Sequence, residues 1–322
     1  MKEMEKTCLH DNESLLCTIH SNDANHQAEN LINWQQQFDQ LSRGRFVGVI
    51  NEIHFPDIHV FREETSQQLR QQCQIEEGGL WLGFSADNKS CRINNQATRS
   101  EQFLCRPGGH EFELLTPENF SIFGLVLHRS WLKQWLEQND ELADNAFDCL
   151  YLEGVAPQLI FSFRQYLSLL LQADGHRWSS LTQQLILKDA VFELLSLAQN
   201  APATTMVSAQ RQRLMQRVKS YLHEVDLSAP LTIDEICAAV HVSRRTLQYA
   251  FSECLGMSPK HYIKVIRLNQ IRRALLQSEQ QQTIAEIALE HGFFHLGQFG
   301  QDYKNLFGEN PQQTRHRHFS HS

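Results

Sequence analysis

Apolar residues in this chain of 322 residues follow two different periods. Between about 45 and 128, β-branched and aromatic residues occur in short runs separated by turn signals, among them Pro56-Asp57 and the bend at Gly108-Gly109. These runs predict a β-rich unit in which two strands pair across Pro56-Asp57. We expect a small barrel or a sandwich, and a cupin-like barrel is one form of it.

The segments on either side of the β-rich unit predict other structures. Residues 1–27 are polar and predict little order, whereas 27–41 predict a helix because their apolar residues recur every three or four positions. After residue 128 the spacing is helical in 129–138, 157–172 and 179–199. The last of these has an apolar surface wider than one stripe, which is typical of a buried helix or of a dimer seam.

Residues 200–210, NAPATTMVSAQ, are small and polar and predict a linker, after which the chain is helical to its end. We therefore divide the chain into domains 1–206 and 207–322. The predicted fold class is α+β: a β-rich N-terminal domain with flanking helices, followed by an all-α domain.

The segment 207–322 contains an internal repeat, TIDEICAAV-HVSRRTLQYAFSECLGMSP against TIAEIALEHGFFHLGQFGQDYKNLFGENP. Thr232 and Ile236 recur 51 residues later as Thr283 and Ile287. After one inserted residue the offset becomes 52, and it pairs Ser243, Leu247, Phe251, Gly256 and Pro259 with His295, Phe299, Tyr303, Gly308 and Pro311. Each copy predicts a short helix, a tight turn and a second helix, which is the helix-turn-helix pattern.

The second helix of each copy presents polar side chains that suit base recognition. Ser243 is a favourable N-cap, and arginine next to a helix N-terminus suits phosphate or guanine. Because Leu247 and Phe251 face inward, the outward residues of the first copy are Arg244, Arg245, Gln248 and Tyr249. Those of the second are His295, Leu296, Gln298, Gln301 and Lys304. The alternative, a solvated helix face, is weakened by the presence of two copies.

The segment 258–276 connects the two copies and predicts a helix of about 27 Å, close to the roughly 34 Å of one DNA turn. We expect Arg272, with Lys264 and Arg273, to contact phosphates. For Arg267 an internal pair with an acid of the first copy is the alternative to a DNA contact.

Charge and composition narrow the class of protein. The segment 207–322 holds 14 Lys and Arg against 10 Asp and Glu, although the whole chain has a net charge of −8. A basic C-terminal domain in an otherwise acidic chain is consistent with binding of nucleic acid by that domain. No apolar run reaches 18 residues, no apolar signal segment opens the chain, and none of the eight cysteines forms a C-x-x-C pair. We therefore expect a cytoplasmic protein with free thiols and no membrane contact.

These residues resemble the AraC/XylS family of bacterial transcription regulators, through VSRRTLQYAF, GMSPKHYIKVIRLNQIRRAL, IAEIALEHGF and FGENP, which cover nearly all of 210–316. The resemblance implies a DNA-binding domain of two helix-turn-helix motifs joined by one helix. It also implies base contacts for Arg245, Gln248 and Tyr249, and for Leu296, Gln298 and Gln301. Two features depart from the family: His241 replaces the turn glycine of the first copy, and Gly297 and Gly300 weaken the second recognition helix.

Most of the chain, including WQQQFDQL and RPGGHEFELLTPENFSIFGLVL, is similar to the regulators of ethanolamine-utilisation operons. This resemblance implies an N-terminal sensor, an activator, and ethanolamine with adenosylcobalamin as effectors. It also implies RNA polymerase and a second copy of the chain as partners. The alternative is a regulator that responds to another metabolite or to a protein partner, with no cobalamin. No cofactor is required for either.

Candidate ligand residues in the N-terminal domain are Trp34, Trp81, Phe84 and Arg106, although aromatic residues in a small β domain are usually core. Asp57-Ile-His59 lacks the glycine of a cobalamin-binding Asp-x-His-x-x-Gly motif, and we treat it as coincidence. His110, Glu111 and Glu113 lack the H-x-H spacing of a cupin metal site. We therefore predict no metal site, and we predict no enzyme because no nucleophile–base pair or phosphate-binding glycine loop is found.

Overall fold

The computed structural model describes residues 6–11, 14–31, 34–128, 130–133, 151–152, 155–172, 180–198, 209–225, 229, 231–277 and 282–319. The chain forms two compact units. The first comprises 1–38 and 46–205, and the second comprises 39–45 and 206–322. The main boundary lies one residue from the predicted one, but the assignment of 39–45 to the second unit was not anticipated.

The first unit is built on two antiparallel sheets. The larger sheet has the order β1-β2-β4-β5-β12-β7-β10-β13, and the smaller has the order β3-β6-β11-β8-β9. The strands are β1 (Lys6–Asp11), β2 (Ser14–Ser21), β3 (Trp34–Gln40), β4 (Gly48–His54), β5 (Ile58–Thr65), β6 (Leu69–Ile75), β7 (Leu80–Ser85), β8 (Arg92–Ile93), β9 (Gln96–Ala97), β10 (Phe103–Pro107), β11 (Phe112–Thr116), β12 (Phe120–Leu127) and β13 (Tyr151–Leu152). The predicted hairpin across Pro56-Asp57 is confirmed as β4 and β5.

Central strands β7 and β12 are buried along their whole length because the larger sheet is covered on both faces. One face packs against helices α2 (Pro157–Leu170) and α3 (Ser180–Ala198). The opposite face meets the smaller sheet in a second core, which we call the inner core. Gly83 and Gly124 lie opposite each other in these two strands, and a Cβ on either would overlap the Trp81 or Phe61 ring of the inner core.

Two predictions for the N-terminal segment are wrong. Part of 1–27, predicted to have little order, forms β1, β2 and the start of α1 (Ala24–Glu29). The segment 27–41 continues from this short helix into strand β3. Trp34 and Phe38 are four residues apart, a separation that fits one helical face and also one strand face, and pairing with β6 selects the strand. The predicted helix at 129–138 and the linker at 200–210 lie largely outside the described residues.

The second unit contains the helices α4 (Ala209–Glu224), α5 (Ile233–Ala239), α6 (Arg244–Leu255), α7 (Pro259–Gln277), α8 (Ile284–Glu290), α9 (Leu296–Phe307) and α10 (Pro311–Phe319). The pairs α5–α6 and α8–α9 are the two predicted helix-turn-helix copies, and α7 connects them. Four residues separate α5 from α6 and five separate α8 from α9, which confirms the inserted residue.

A peptide from the N-terminal part of the sequence, Asp39–Arg45, belongs to this helical unit, and we call it the inserted segment. Asn269 of α7 accepts a hydrogen bond from the Gln40 backbone amide and donates one to the Gln40 carbonyl, both at 2.9 Å. Arg273 forms an ion pair of 2.7 Å with the buried carboxylate of Asp39. The Gly44 amide donates to the carbonyl of Leu306 at 2.9 Å. The helical fold therefore includes a piece that is distant in sequence.

Two chemical expectations have structural outcomes. Cys73, Cys91, Cys105, Cys237 and Cys254 are buried and form no disulfide, but Cys17 is disulfide-bonded, so the expectation of thiols without disulfides is wrong. Within the described ranges, no helix has the length and apolar character needed to cross a membrane.

Candidate functional site

The two helix-turn-helix copies begin and end with the same local interactions. Thr232 and Thr283 each form a capping box with the glutamate three residues later. Hydrogen bonds from the Thr283 backbone and side chain hold the pKa of Glu286 below its ordinary value. Gly256 and Gly308 end the second helix of each copy in the left-handed conformation, with φ of 68° and 69°. The repeat is therefore structural as well as sequential.

Helix α6 is placed as predicted. The Ser243 hydroxyl accepts a hydrogen bond from the Thr246 amide, while Leu247 and Phe251 are fully buried. Arg245 and Gln248 are exposed. Tyr249 lies beside them with 63% of its surface exposed, a large value for an aromatic residue in a helix. These side chains provide the donors, the acceptors and the flat ring that base recognition requires.

Arg244, which was predicted to contact DNA, pairs with Asp234 of α5, and both side chains remain exposed. The hydrogen bond from Arg244 lowers the pKa of Asp234. The two donors aimed at this carboxylate are therefore engaged within the motif, and Arg245 is the better candidate for a base-reading arginine.

Helix α9 repeats this arrangement in the second copy. Phe299, Tyr303, Leu306 and Phe307 are its buried face. His295 precedes the helix in extended conformation without a side-chain capping bond. The outward residues Leu296, Gln298, Gln301 and Lys304 are exposed, and Gln301 also donates to Asn305 at 2.9 Å. The structure thus brings the predicted residues of the second copy onto one exposed face.

The prediction that Arg272 contacts phosphate is wrong. Its side chain is 6% exposed and forms an ion pair of 2.8 Å with Glu309, which is 2% exposed. The guanidinium also lies 4.5 Å from the Phe307 ring centroid and donates to Tyr303 and Thr314. Arg272 therefore joins α7 to α9 and α10. These contacts supply the partners that a buried guanidinium requires.

Three further basic residues of α7, Lys264, Arg267 and Arg273, also have internal partners. Lys264 pairs with Asp302 at 2.9 Å, and Arg273 pairs with Asp39. Arg267 donates to the Ala229 carbonyl at 2.7 Å, so its contact is internal but is made to backbone instead of an acid. The connecting helix therefore contributes structure to the unit, and three of its five lysine and arginine side chains are paired with carboxylates.

In the first unit, Trp34 and Trp81 lie together in the inner core, with ring centroids 6.0 Å apart and Phe61 and Phe112 beside them. Arg106 lies directly opposite Trp81 on β10. Phe84 does not join them, because it points to the helix-covered face and contacts Phe103, Phe123 and Phe163. The buried nitrogens Trp81 Nε1 and Arg106 Nε have no hydrogen-bond partner among the described residues.

A cleft of about 720 Å³ opens beside Trp34 and is lined by Gln74, Glu76, Glu77, Gly108 and His110. Deeper in the unit, Glu63 is buried and accepts hydrogen bonds from Gln27 and Gln71 at 3.2 and 3.3 Å. Burial raises the pKa of Glu63 to about 7 although these hydrogen bonds lower it. The exposed carboxylates of Glu76 and Glu77 and the buried carboxyl of Glu63 therefore lie in the same unit as the cluster of Trp34 and Trp81.

The residues considered for a cupin metal site, His110, Glu111 and Glu113, do not form one group in the structure, and neither do Asp57 and His59 of the cobalamin-like motif. Glu113 pairs with Arg70 at 2.7 Å, while His110 and Glu111 are exposed. Asp57 pairs with Lys188 of α3, while His59 hydrogen-bonds to Glu52.

Among the described residues, Glu52, His54 and His59 bring one carboxylate and two imidazoles together, and none of the three was predicted as a site residue. Burial, the largest influence on the Glu52 carboxyl, raises its pKa, but hydrogen bonds from His54 and His59 and their charge bring it to about 2. Burial lowers the pKa of His59. The register of the hairpin, which follows from the Pro-Asp turn, was the signal that would have identified this group.

Comparison with known proteins finds relatives of the second unit. A family model described as a helix-turn-helix domain matches residues 236–317. The probable thc operon regulatory protein of Rhodococcus erythropolis is 36% identical over 91 residues, which are 28% of this chain and 27% of that protein. The XylDLEGF operon transcriptional activator of Pseudomonas putida is 35% identical over 100 residues, 31% of each chain. The chain thus spans less than a third of the length of these relatives.

A solved regulator from Chromobacterium violaceum, described by its AraC-type DNA-binding domain, is 32% identical, with a TM-score of 0.32. The similarity covers 34% of this chain and 96% of that one. Together with the duplicated motif, the match to the family model identifies residues 236–317 as a helix-turn-helix domain, similar in sequence to parts of these two operon regulators.

Proposed function

We propose that this protein is a cytoplasmic, ligand-responsive activator of transcription that reads its operator with α6 and α9. The observation that carries this proposal is the duplicated exposed face. Arg245 and Gln248 of the first copy, and Gln298 and Gln301 of the second, project from equivalent helices whose other faces are buried. Arginine and glutamine are the residues that pair bidentately with guanine and adenine in the major groove.

The test begins with selection of binding sites from a random duplex library by the full-length protein. Arg245→Ala should then lose about 1–3 kcal/mol of binding free energy, mainly at one base position. Arg213→Ala, which removes an exposed arginine from α4, is the matched control and should keep the preference at every position. An equal loss on all sequences for Arg245→Ala would refute base reading by this residue.

The effector is proposed to enter through the cleft beside Trp34 and to contact Trp81 and Arg106 in the inner core. Glu76 and Glu77 give the cleft an acidic lining that suits a cationic molecule. This chemistry agrees with ethanolamine, whose ammonium group suits the carboxylates and whose hydroxyl oxygen can accept a hydrogen bond from Arg106. The resemblance implies ethanolamine together with adenosylcobalamin. The second candidate is a regulator that responds to another metabolite or to a protein partner. The close packing of the aromatic residues in the inner core favours it, because packed side chains leave little room for a ligand.

Thermal unfolding of the full-length protein with ethanolamine, adenosylcobalamin, both or neither separates these candidates. A ligand present at 100 times its Kd adds about 2.7 kcal/mol to the free energy of unfolding, which corresponds to several degrees. A shift that Arg106→Ala abolishes supports the proposed cleft. Equal midpoints in the four samples would favour another effector or a protein partner.

Activation further requires RNA polymerase as a partner, and we propose that the protein binds its operator as a homodimer. Helices α2 and α3 expose large apolar side chains, which are Phe161, Leu169, Leu181, Leu185, Ile186 and Phe192. An exposed apolar surface of this kind is typical of a protein interface. A second copy is the proposed occupant, since a symmetric pairing of two such surfaces would bury the apolar side chains of both.

A further inference from the structure

Three potential metal ligands converge at the end of the β4–β5 hairpin. Glu52 and His54 are two residues apart on β4 and therefore project from the same face. His59 lies directly opposite His54 in the strand register. The hairpin thus brings three side chains together that are up to seven positions apart in sequence.

The distances between the ligand atoms are short. Glu52 Oε2 lies 3.1 Å from His59 Nε2 and 3.3 Å from His54 Nε2. One ligand atom from each residue lies within 4.8 Å of the others. Two ligands of a tetrahedral zinc ion, each about 2.1 Å from the metal, are about 3.4 Å apart. Two of the three separations therefore already match those of a coordinated ion.

We propose that Glu52, His54 and His59 bind one divalent transition-metal ion of the zinc class. Two imidazoles and one carboxylate are a ligand set that favours zinc, cobalt or nickel over magnesium and calcium, which prefer oxygen ligands. The imidazole rings, now stacked with centroids 3.9 Å apart, would tilt so that both Nε2 lone pairs point to the ion. A water molecule would supply the fourth ligand.

The surroundings provide both rigidity and access. Glu52 and His59 are buried, so their positions are held by the sheet, whereas the His54 side chain is 35% exposed and opens a path for the ion. A carboxylate and neutral imidazoles are the forms that coordinate a metal ion, so binding would release any proton that these groups hold. Phe61, two residues after His59 and on the same face of β5, packs against His59 and Trp34. An ion bound by His59 would therefore fix the edge of the inner core.

The experiment uses the full-length protein treated with EDTA and then titrated with ZnCl₂ or CoCl₂. We expect one ion per chain, a visible d–d absorption band for cobalt, and a rise of several degrees in the unfolding midpoint. His54→Ala removes a half-exposed ligand without opening the core, and Glu52→Gln keeps the shape of the carboxylate. Each should weaken zinc binding at least tenfold.

Two matched controls distinguish this site from adventitious binding. His110→Ala removes an exposed histidine elsewhere in the same unit. A variant with alanine at His316, His318 and His321 removes the histidine-rich C-terminal sequence. Both should bind as the unaltered protein does. Zinc binding that survives in His54→Ala, that disappears only in the C-terminal variant, or that needs millimolar metal would overturn the proposal.

Discussion

His241 and Gly292 occupy the same position in the two helix-turn-helix copies, and both have positive φ, 53° and 79°. A left-handed residue is required where the chain turns between the helices, and a side chain there costs roughly 1–2 kcal/mol. The family resemblance marked His241 as a departure from the usual turn glycine, and its positive φ shows that the backbone adopts the conformation that glycine favours.

We predict that His241→Gly leaves the free energy of unfolding unchanged or raises it by up to about 1 kcal/mol, since the entropy of glycine offsets part of the relieved strain. Gly292→Ala should lower it by about 1 kcal/mol or more. Urea unfolding of the full-length protein measures both effects. His241→Ala, which keeps a Cβ but loses the imidazole, is the control. A marked loss of stability in His241→Gly would show that the imidazole makes a contact that outweighs the strain.

The glycines of α9 offer a separate prediction. Neither Gly297 nor Gly300 has positive φ, and a Cβ at either position meets no atom within 4 Å. Gly297→Ala and Gly300→Ala should each stabilise the helix by about 1 kcal/mol, measured as a higher unfolding midpoint. Weaker operator binding by a more stable Gly297→Ala would indicate close approach of DNA at that position, whereas destabilisation by either variant would contradict the prediction.

The buried pair of Arg272 and Glu309 should matter for folding and not for phosphate contact. Arg272→Met or Glu309→Gln leaves one buried partner without its counterpart, and we expect a loss of about 3–5 kcal/mol in the free energy of unfolding. The double variant should lose less than the sum, because the two residues are coupled.

The salt dependence of operator binding distinguishes a structural role of Arg272 from a phosphate contact. Below the unfolding transition, Arg272→Met should keep the slope of operator affinity against salt concentration. Lys304→Ala, the comparison at an exposed site, should reduce that slope by about one if Lys304 contacts a phosphate. A reduced slope for Arg272→Met in folded protein would restore the phosphate role.

Glu63 predicts a pH dependence of stability. Its pKa is raised from 4.5 to about 7, so the folded state holds this proton more tightly than the unfolded state. The stability it contributes is complete below pH 4.5 and is lost as the pH rises through about 7, a change of about 3 kcal/mol. His59, whose pKa is lowered, acts in the opposite direction. Urea unfolding at pH 5 and pH 8 should therefore be compared between the unaltered protein and Glu63→Gln. Identical pH profiles would exclude this role of Glu63.

The exposed apolar residues of α3 offer a test of the proposed dimer. Leu181 and Leu185 are 65% and 54% exposed. Leu181→Asp with Leu185→Asp should shift the sedimentation coefficient toward a monomer while leaving the unfolding midpoint nearly unchanged. Asp189→Asn, at an exposed position on the same helix, is the control. An unchanged sedimentation coefficient would place the interface elsewhere.

The predictable part of this protein is the part in which local signals agree. Capping threonines, C-terminal glycines and apolar spacing all recur in the two copies, so the motifs and their exposed faces followed from the sequence. The failures came from long-range pairing. Trp34 and Phe38 fit two periods until β6 selects a strand. Arg272 is a surface residue by its neighbours in sequence, but Glu309 meets it from 37 positions away. No local pattern encodes such partners.

The inserted segment changes what counts as a transferable module. A graft that exchanges the C-terminal unit at residue 206 would carry helices α4 to α10 but leave Asp39–Arg45 behind, so that Asn269 and Arg273 would face a foreign peptide or solvent. Chimeras that combine these helices with another N-terminal domain should therefore move the seven-residue peptide together with the helices. For this fold, the unit of exchange is discontinuous in the gene.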